Sequence, residues 1–124
     1  MIRAAVLGCG RIGAGLGWEQ APYIYDHIST YLALKDRVKL EWVFDADSEH
    51  ASKASLKFGV PGVGGDHLWD GRETWPAMLD EAMKQKPVDL VSICTRPEDR
   101  ARLLERLRHY PSIRGAWIEK PLGQ

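Results

Sequence analysis

The sequence predicts an α/β fold, a doubly wound and mainly parallel sheet of about five strands with helices on both faces. Three observations predict it. Short apolar runs alternate along the chain with segments whose apolar residues recur at helical spacing. The first run, residues 2–7, leads directly into a glycine-rich turn, and the second ends in an acidic residue, Asp45. Helices between the strands make parallel pairing with right-handed crossovers the expected arrangement.

The glycine-rich turn at residues 8–13 has the pattern G-x-G-x-x-G and follows a buried strand. In a nucleotide-binding turn the first glycine permits the sharp bend, the second lets the backbone approach a pyrophosphate, and the third lets helix and strand pack closely. Such turns also occur without a ligand, but the strand before this one and the acidic residue after the next strand favour a dinucleotide. The predicted cofactor-binding residues of the turn are Gly8, Gly10, Arg11, Ile12 and Gly13.

The chain between this turn and the first helix is longer than in a compact strand–turn–helix unit, by about ten residues. The next helix is predicted to begin at an Asp26 cap, because apolar residues recur at helical spacing only beyond it. The inserted segment contains Trp18, Tyr23 and Tyr25. These aromatic side chains either lie over a ligand or fasten the loop to the domain surface.

Asp45 ends the second predicted strand, residues 38–44, and is the acidic residue expected to accept hydrogen bonds from the adenosine ribose of a dinucleotide. It follows Gly13 at more than the usual spacing of about twenty residues, which the inserted segment explains. The alternative is a solvated aspartate at a strand end. The sequence therefore predicts, without requiring, a ribose-binding carboxylate.

The charges around Asp45 favour NAD over NADP. Asp47 and Glu49 are nearby, and no arginine or lysine follows until Lys53. A 2′-phosphate would therefore meet net negative charge. Arg11 is an argument for NADP, because its side chain could reach a phosphate.

The remaining elements are predicted from the same patterns. A helix capped by Asp47 or Ser48 runs through Phe58, and Gly59 ends it. A stripe of tryptophan and methionine in the third helix is most simply core. The other predicted elements are a short third strand near 67–69, a third helix through 75–83, a fourth strand at 88–94, a fourth helix from Pro97 to about Tyr110, and a fifth strand at 115–119.

Length and composition place the chain among ordinary globular proteins. Its 124 residues make one domain, predicted to be a dinucleotide-binding domain over residues 1–124. Seventeen basic residues balance seventeen acidic ones, so we expect no nucleic-acid or membrane partner. The arginines of the fourth helix alternate with acidic residues, which is typical of a solvated helix face. No signal peptide is recognised, and the cytoplasm is the expected location.

The cysteines and histidines predict neither a disulfide framework nor a metal site. Cys9 and Cys94 are expected at the carboxyl ends of neighbouring strands, where a disulfide is conceivable. In a reducing compartment two buried thiols are the favoured interpretation. The four histidines are scattered, and none is paired with a cysteine at ligand spacing.

Four segments of the chain resemble the Gfo/Idh/MocA oxidoreductases, namely residues 8–13, 44–47, 88–97 and the triplet Glu119-Lys120-Pro121 after the fifth strand. The resemblance implies a Rossmann-like domain that binds NAD, less favourably NADP, and takes part in hydride transfer to or from sugars, polyols and related hydroxyl or carbonyl substrates. It further implies that Lys120 is catalytic, lying against the nicotinamide and the reacting hydroxyl. It places Thr95, Pro97, Glu119 and Lys120 among the cofactor-binding residues.

Elementary chemistry agrees with the role of Lys120. A lysine at the carboxyl end of a parallel strand lies where open α/β sheets bind ligands. Its ammonium group can hold a hydroxyl and stabilise a developing alkoxide. The alternative is an ordinary surface lysine before a proline.

The chain departs from the family pattern in two ways. Arg100 stands where the family usually has a histidine, and the sequence ends at Gln124, before the family's C-terminal α+β domain. We therefore expect this chain alone to bind a cofactor but to lack turnover. The expectation is a domain that is either truncated or completed by another chain. The open edge of the fifth strand, with its apolar surface, should promote self-association. The alternative function is a stand-alone dinucleotide-binding or regulatory module.

Overall fold

A computed structural model describes residues 1–9, 26–65, 73–95 and 97–119 of the chain. Within these residues five strands alternate with four helices. In chain order the elements are β1 (Ile2–Leu7), α1 (His27–Ala33), β2 (Val38–Asp45), α2 (Ser48–Phe58), β3 (Gly62–Gly64), α3 (Trp75–Gln85), β4 (Leu90–Ile93), α4 (Pro97–Leu107) and β5 (Gly115–Ile118).

The five strands form one sheet in the order β3-β2-β1-β4-β5, and every neighbouring pair is parallel. The predicted fold class, a Rossmann-like α/β sheet, is confirmed. All carboxyl ends of the strands therefore lie at one edge. The strand order reverses direction between β1 and β4, and open α/β sheets bind their ligands outside that switch point.

The central strand β1 contributes to two hydrophobic cores, one on each face of the sheet. Ala5 and Leu7 pack with residues of α3 and α4, whereas Ala4 and Val6 pack with residues of α1 and α2. This division follows from the alternation of side chains along a strand. Because both faces are covered, β1 is apolar at successive positions from Ala4 to Leu7, and all four are fully buried.

Local capping residues set the helix ends where the sequence predicts them. The Asp26 carboxylate accepts a hydrogen bond from the Ser29 N–H at 2.7 Å at the start of α1. Asp47 caps α2 in the same way through the Glu49 N–H at 2.9 Å. Gly59 ends α2 in the left-handed conformation, with φ 69°.

The third strand was predicted in the wrong place. It forms at Gly62–Gly64 and pairs with the end of β2, whereas residues 67–69 lie outside the described ranges. Two of its three residues are glycines, which have no strand propensity. Close packing explains why glycines form this strand, because α2 lies directly against it. An added Cβ at Gly62 would lie 2.8 Å from the Ala51 carbonyl oxygen, and one at Gly64 would lie 2.7 Å from the Ser48 Cα.

Other element ends differ slightly from the predictions. β4 is shorter than 88–94, α4 ends at Leu107, and β5 ends at Ile118. Asp89, which comes just before β4, is hydrogen-bonded to β1. Its carboxylate accepts from the Arg3 guanidinium at 2.8 and 3.2 Å.

Cys9 and Cys94 are free thiols that follow the neighbouring strands β1 and β4. Among the described residues, no helix is long and apolar enough to cross a membrane.

Candidate functional site

A cavity of about 570 Å³ opens at the carboxyl edge of the sheet. Gly8, Asp45, Gly65 and Thr95 line it, and they follow or end β1, β2, β3 and β4. The cavity therefore lies at the strand ends around the switch point, where the topology predicts a ligand site.

Gly8 brings the end of β1 against the end of β4. Its φ of 107° is strained for any other residue, and an added Cβ would lie 2.7 Å from the Cys94 carbonyl carbon and 2.8 Å from the Thr95 nitrogen. The Gly8 N–H donates to the Phe44 carbonyl at 2.7 Å. The first glycine of the motif is thus required by the close approach of two strands at the cavity.

The Asp45 carboxylate is fastened to the turn at the cavity. One oxygen accepts from the Cys9 N–H at 2.8 Å, and the other accepts from the Asp47 N–H at 2.8 Å. The imidazole of His50 lies 3.7 Å from the first oxygen. These contacts hold the carboxylate at the wall of the cavity, where its remaining lone pairs are available to hydroxyl donors.

The cavity wall around Asp45 carries several acidic side chains. Asp47, Glu73 and Asp99 also line it, against the cationic Arg102. Arg102 itself pairs with Glu73 at 2.8 Å. The acidic side chains that are predicted to repel a 2′-phosphate therefore lie in the cavity wall.

The loop after β4 contributes a buried hydroxyl. Thr95 lines the cavity, and its Oγ1 has no hydrogen-bond partner in the part of the chain that the structure describes. A buried hydroxyl without a partner is costly, and a ligand that bonds to it removes that cost. This observation fits the prediction of Thr95 as a cofactor-binding residue.

Arg100 holds the same loop. Its side chain is only 7% exposed, and its Nε donates to the Thr95 carbonyl at 3.2 Å. The interpretation of the fourth helix as a solvated face is therefore wrong for Arg100. Where the family usually has a histidine, this chain has a guanidinium that fixes the end of β4 from beneath.

The two thiols near the cavity are not suited to nucleophilic chemistry. Burial raises the pKa of the Cys94 thiol to about 12, and the charge of Glu119 adds to the effect. Burial also raises the pKa of Cys9, and Asp45 contributes in the same direction. Both thiols are therefore protonated near neutral pH. In the described ranges, no three histidine, cysteine or acidic side chains meet as a metal site requires.

Glu119 follows β5 at the same edge of the sheet. Its N–H donates to the Ile93 carbonyl at 3.0 Å, which extends the pairing of β4 with β5 by one step. Its carboxylate accepts a hydrogen bond from His27 Nε2 at 2.8 Å. Glu119 thus lies beside the end of β4, and its role in cofactor binding stays a prediction.

Several predicted site residues lie outside the described ranges, and Pro97 is seen as the first residue of α4. Gly10, Arg11, Ile12, Gly13 and Lys120 are among those outside, together with the aromatic residues of the inserted segment.

Three residues at or near the site were not predicted as functional, namely His27, Trp75 and Arg102. Trp75 contacts the core through an edge-to-face contact with Phe44, and it also lines the cavity. The Arg102 guanidinium lies 5.5 Å from the Trp75 ring centre. Arg102 belongs to the first turns of the helix after β4, and that position indicates the carboxyl edge of the sheet.

The strand order, the strained glycine after β1 and the aspartate at the end of β2 define a Rossmann-type α/β domain. A model of the oxidoreductase family with an NAD-binding Rossmann fold, Gfo/Idh/MocA, matches residues 2–123. The chain therefore belongs to this family of NAD-binding oxidoreductases. No curated protein was found to match the chain.

Several solved structures share the fold of this chain. UDP-N-acetylglucosamine 3-dehydrogenase GnnA from Acidithiobacillus ferrooxidans matches with a TM-score of 0.60 and 21% identity, covering 99% of this chain and 30% of its own. WlbA dehydrogenase from Bordetella pertussis, solved with NADH and UDP-GlcNAcA, matches with a TM-score of 0.62 and 20% identity, covering 98% and 30%. An oxidoreductase from Thermotoga maritima has the same TM-score, identity and coverage. The chain thus spans about 30% of the length of these proteins.

Proposed function

We propose that residues 1–124 form the dinucleotide-binding domain of an oxidoreductase that transfers a hydride between NAD and the hydroxyl or carbonyl group of a sugar, polyol or related compound. The family assignment supports the cofactor. The observation that carries the proposal is the Asp45 carboxylate, held against the Cys9 N–H at 2.8 Å in the wall of the cavity.

The described residues fit such a cofactor. Asp45 accepts from the hydroxyls of the adenosine ribose, and the acidic wall disfavours an added 2′-phosphate. Thr95 offers a buried hydroxyl without a partner among the described residues, on the β4 side of the switch point. The backbone N–H groups of residues 10–13 are proposed to bind the diphosphate, since those of Gly8 and Cys9 already donate to Phe44 and Asp45. Pro97 and Glu119 are the remaining proposed cofactor-binding residues, on the far side of the switch point.

Lys120 follows Glu119 directly and is proposed to act on the substrate. Its ammonium group donates a hydrogen bond to the reacting oxygen and stabilises negative charge that develops there. The bound nicotinamide supplies or accepts the hydride. The chain's contribution is therefore to orient the reacting groups and to hold the charge on the substrate oxygen.

A nucleotide-linked sugar is the proposed substrate class. GnnA is a dehydrogenase of UDP-N-acetylglucosamine, and WlbA was solved with UDP-GlcNAcA, and both share the fold of this chain. The chain spans about 30% of those proteins, so the activity proposed is that of the whole enzyme.

Cofactor titration tests the proposal. Five tryptophans report binding by fluorescence, and Trp75 lies in the cavity wall. We expect quenching and a saturable isotherm with NAD⁺ and NADH, and weaker binding of NADP⁺ and NADPH. No binding of any of these four compounds would contradict the proposal.

A second measurement separates an oxidoreductase from a module that binds the dinucleotide without turnover. NADH formation is followed with UDP-N-acetylglucosamine and a panel of polyols, using the full-length protein that contains these residues. Turnover that is abolished by Lys120→Ala, with NADH affinity kept, supports the oxidoreductase. Binding without any turnover favours the regulatory module.

A further inference from the structure

His27 and Glu119 form a hydrogen-bonded pair between the first turn of α1 and the end of β5. The His27 Nε2 and the Glu119 Oε2 lie 2.8 Å apart, although the two residues are 92 positions apart in the chain. The side chains are 16% and 25% exposed, so solvent reaches the pair only in part. The edge of the imidazole meets the ring of Trp117 at a centroid distance of 6.0 Å.

The pair is not needed to hold α1 on the sheet. Ile28 is fully buried, and the Tyr31 hydroxyl is hydrogen-bonded to Ser92 of β4 at 2.6 Å. Asp26 also caps the N-terminus of α1. A part-buried hydrogen bond to a carboxylate adds little stability to an element that is already anchored, because desolvation offsets much of its attraction. Its position therefore suggests another role.

That position is the part of the site opposite Asp45. With the order β2-β1-β4-β5, three strand spacings separate the end of β2 from the end of β5, or about 14 Å. A dinucleotide that places its adenosine at Asp45 and crosses the switch point therefore brings its nicotinamide riboside toward Glu119. The charge of Glu119 also acts on the Cys94 thiol, which lines the cavity.

We infer that His27 is a positioning residue for the nicotinamide half of the cofactor site. It holds the Glu119 carboxylate in one orientation, and Lys120 follows Glu119 directly in the chain. A carboxylate without such a partner would sample several rotamers, and the cost of ordering it on binding would lower the affinity for the cofactor. The inference rests on the proposed function, since it assigns a role within the same site.

The test compares NADH with ADP, which has the adenosine and the diphosphate but lacks the nicotinamide riboside. His27→Phe retains a ring against Trp117 and removes the hydrogen bond. His27→Gln restores a donor. His109→Ala is the control, because His109 is exposed and follows α4 at the other edge of the sheet. Affinities are measured by calorimetry, and thermal unfolding confirms that each variant is folded.

We expect His27→Phe to weaken NADH about tenfold, which corresponds to the cost of ordering one side chain on binding, and to leave ADP within about twofold. His27→Gln recovers part of the loss, and His109→Ala changes neither ligand. In a Glu119→Ala background, His27→Phe should cause no further loss. If His27→Phe does not fold, His27→Gln and Glu119→Ala are compared with wild type by the same ratio of affinities.

Equal weakening of NADH and ADP, or no weakening of either, would overturn the inference. So would a wild-type protein that binds NADH no more tightly than ADP, because Glu119 then contributes nothing to the riboside. These outcomes differ from failure of the proposed function, in which the wild-type protein binds neither compound.

Discussion

The backbone N–H of Cys9 donates a hydrogen bond to the Asp45 carboxylate at 2.8 Å, across 36 positions of sequence. This bond joins the residue after Gly8 to the last residue of β2. The residue proposed to bind a ribose is therefore also a structural partner of the turn proposed to bind the diphosphate. Substitutions at Asp45 should therefore weaken the binding of both the adenosine ribose and the diphosphate.

Asp45→Asn is expected to weaken NADH at least tenfold and to reduce the preference for NADH over NADPH. The amide has no negative charge to repel a 2′-phosphate, and its single oxygen cannot accept from both Cys9 and Asp47. Calorimetric titration with both cofactors measures the change. Asp36→Asn, at an exposed site between α1 and β2, is the matched control and should leave both affinities unaltered. An unchanged NADH affinity in Asp45→Asn would contradict the proposed role.

Gly8→Ala and Gly59→Ala separate two costs of replacing a glycine with positive φ. At Gly59 nothing lies within 4 Å of an added Cβ, so only the backbone conformation costs energy, about 1 kcal/mol. At Gly8 the Cβ also meets the backbone of Cys94 and Thr95, and the expected loss is about 3 kcal/mol or more. Urea denaturation measures both. Equal losses would mean that the close approach of β1 and β4 is not tight.

The Arg3–Asp89 pair should make stability depend on pH in the acid range. Hydrogen bonds from the Arg3 side chain and backbone lower the pKa of Asp89 from 3.8 to about 2. A lowered folded-state pKa stabilises the fold above the unfolded pKa, and this contribution is lost as the pH falls toward 2. The difference in unfolding free energy between wild type and Asp89→Asn should therefore be constant above about pH 5 and shrink between pH 4 and 2. Arg3→Met should give a smaller difference with the same direction of pH dependence, because the backbone N–H of residue 3 still donates to Asp89 at 2.9 Å. A difference between wild type and Asp89→Asn that persists to pH 2 would refute the assignment.

The buried Tyr31–Ser92 hydrogen bond should show strong coupling. Ser92 is fully buried, and its hydroxyl lies 2.6 Å from that of Tyr31. Ser92→Ala leaves the tyrosine hydroxyl without this partner, which costs about 1–3 kcal/mol. The double variant Tyr31→Phe/Ser92→Ala should lose less than the sum of the single variants by about 1 kcal/mol. Additive losses in urea denaturation would show that the two hydroxyls do not interact.

Local chemistry explains why much of the fold could be predicted. Asp26, Asp47 and Gly59 act on their own helix ends, so their effects are visible within a few residues of sequence. The strand before Gly8 and the aspartate after the next strand are likewise readable from order and composition. These features were sufficient to predict the parallel sheet and the edge at which the cavity lies.

The parts that were missed depend on contacts between distant segments. β3 forms at Gly62–Gly64, where α2 comes too close for a side chain at either glycine, and two of its three residues are therefore of low strand propensity. Arg100 is buried and donates to the Thr95 carbonyl, although its neighbours in sequence indicate a solvated face. The pairing of His27 with Glu119 spans 92 positions, and nothing local to either residue predicts it.

The central place of β1 also has a consequence for biosynthesis. Its register joins Ala4 to Leu40 on one side and to Leu90 on the other. β1 is made before β2 and β4, so its second edge stays unpaired until β4 has left the ribosome. Until then, the apolar residues of β1 can pair with wrong partners. Chaperone dependence of the nascent chain should accordingly end once β4 has emerged.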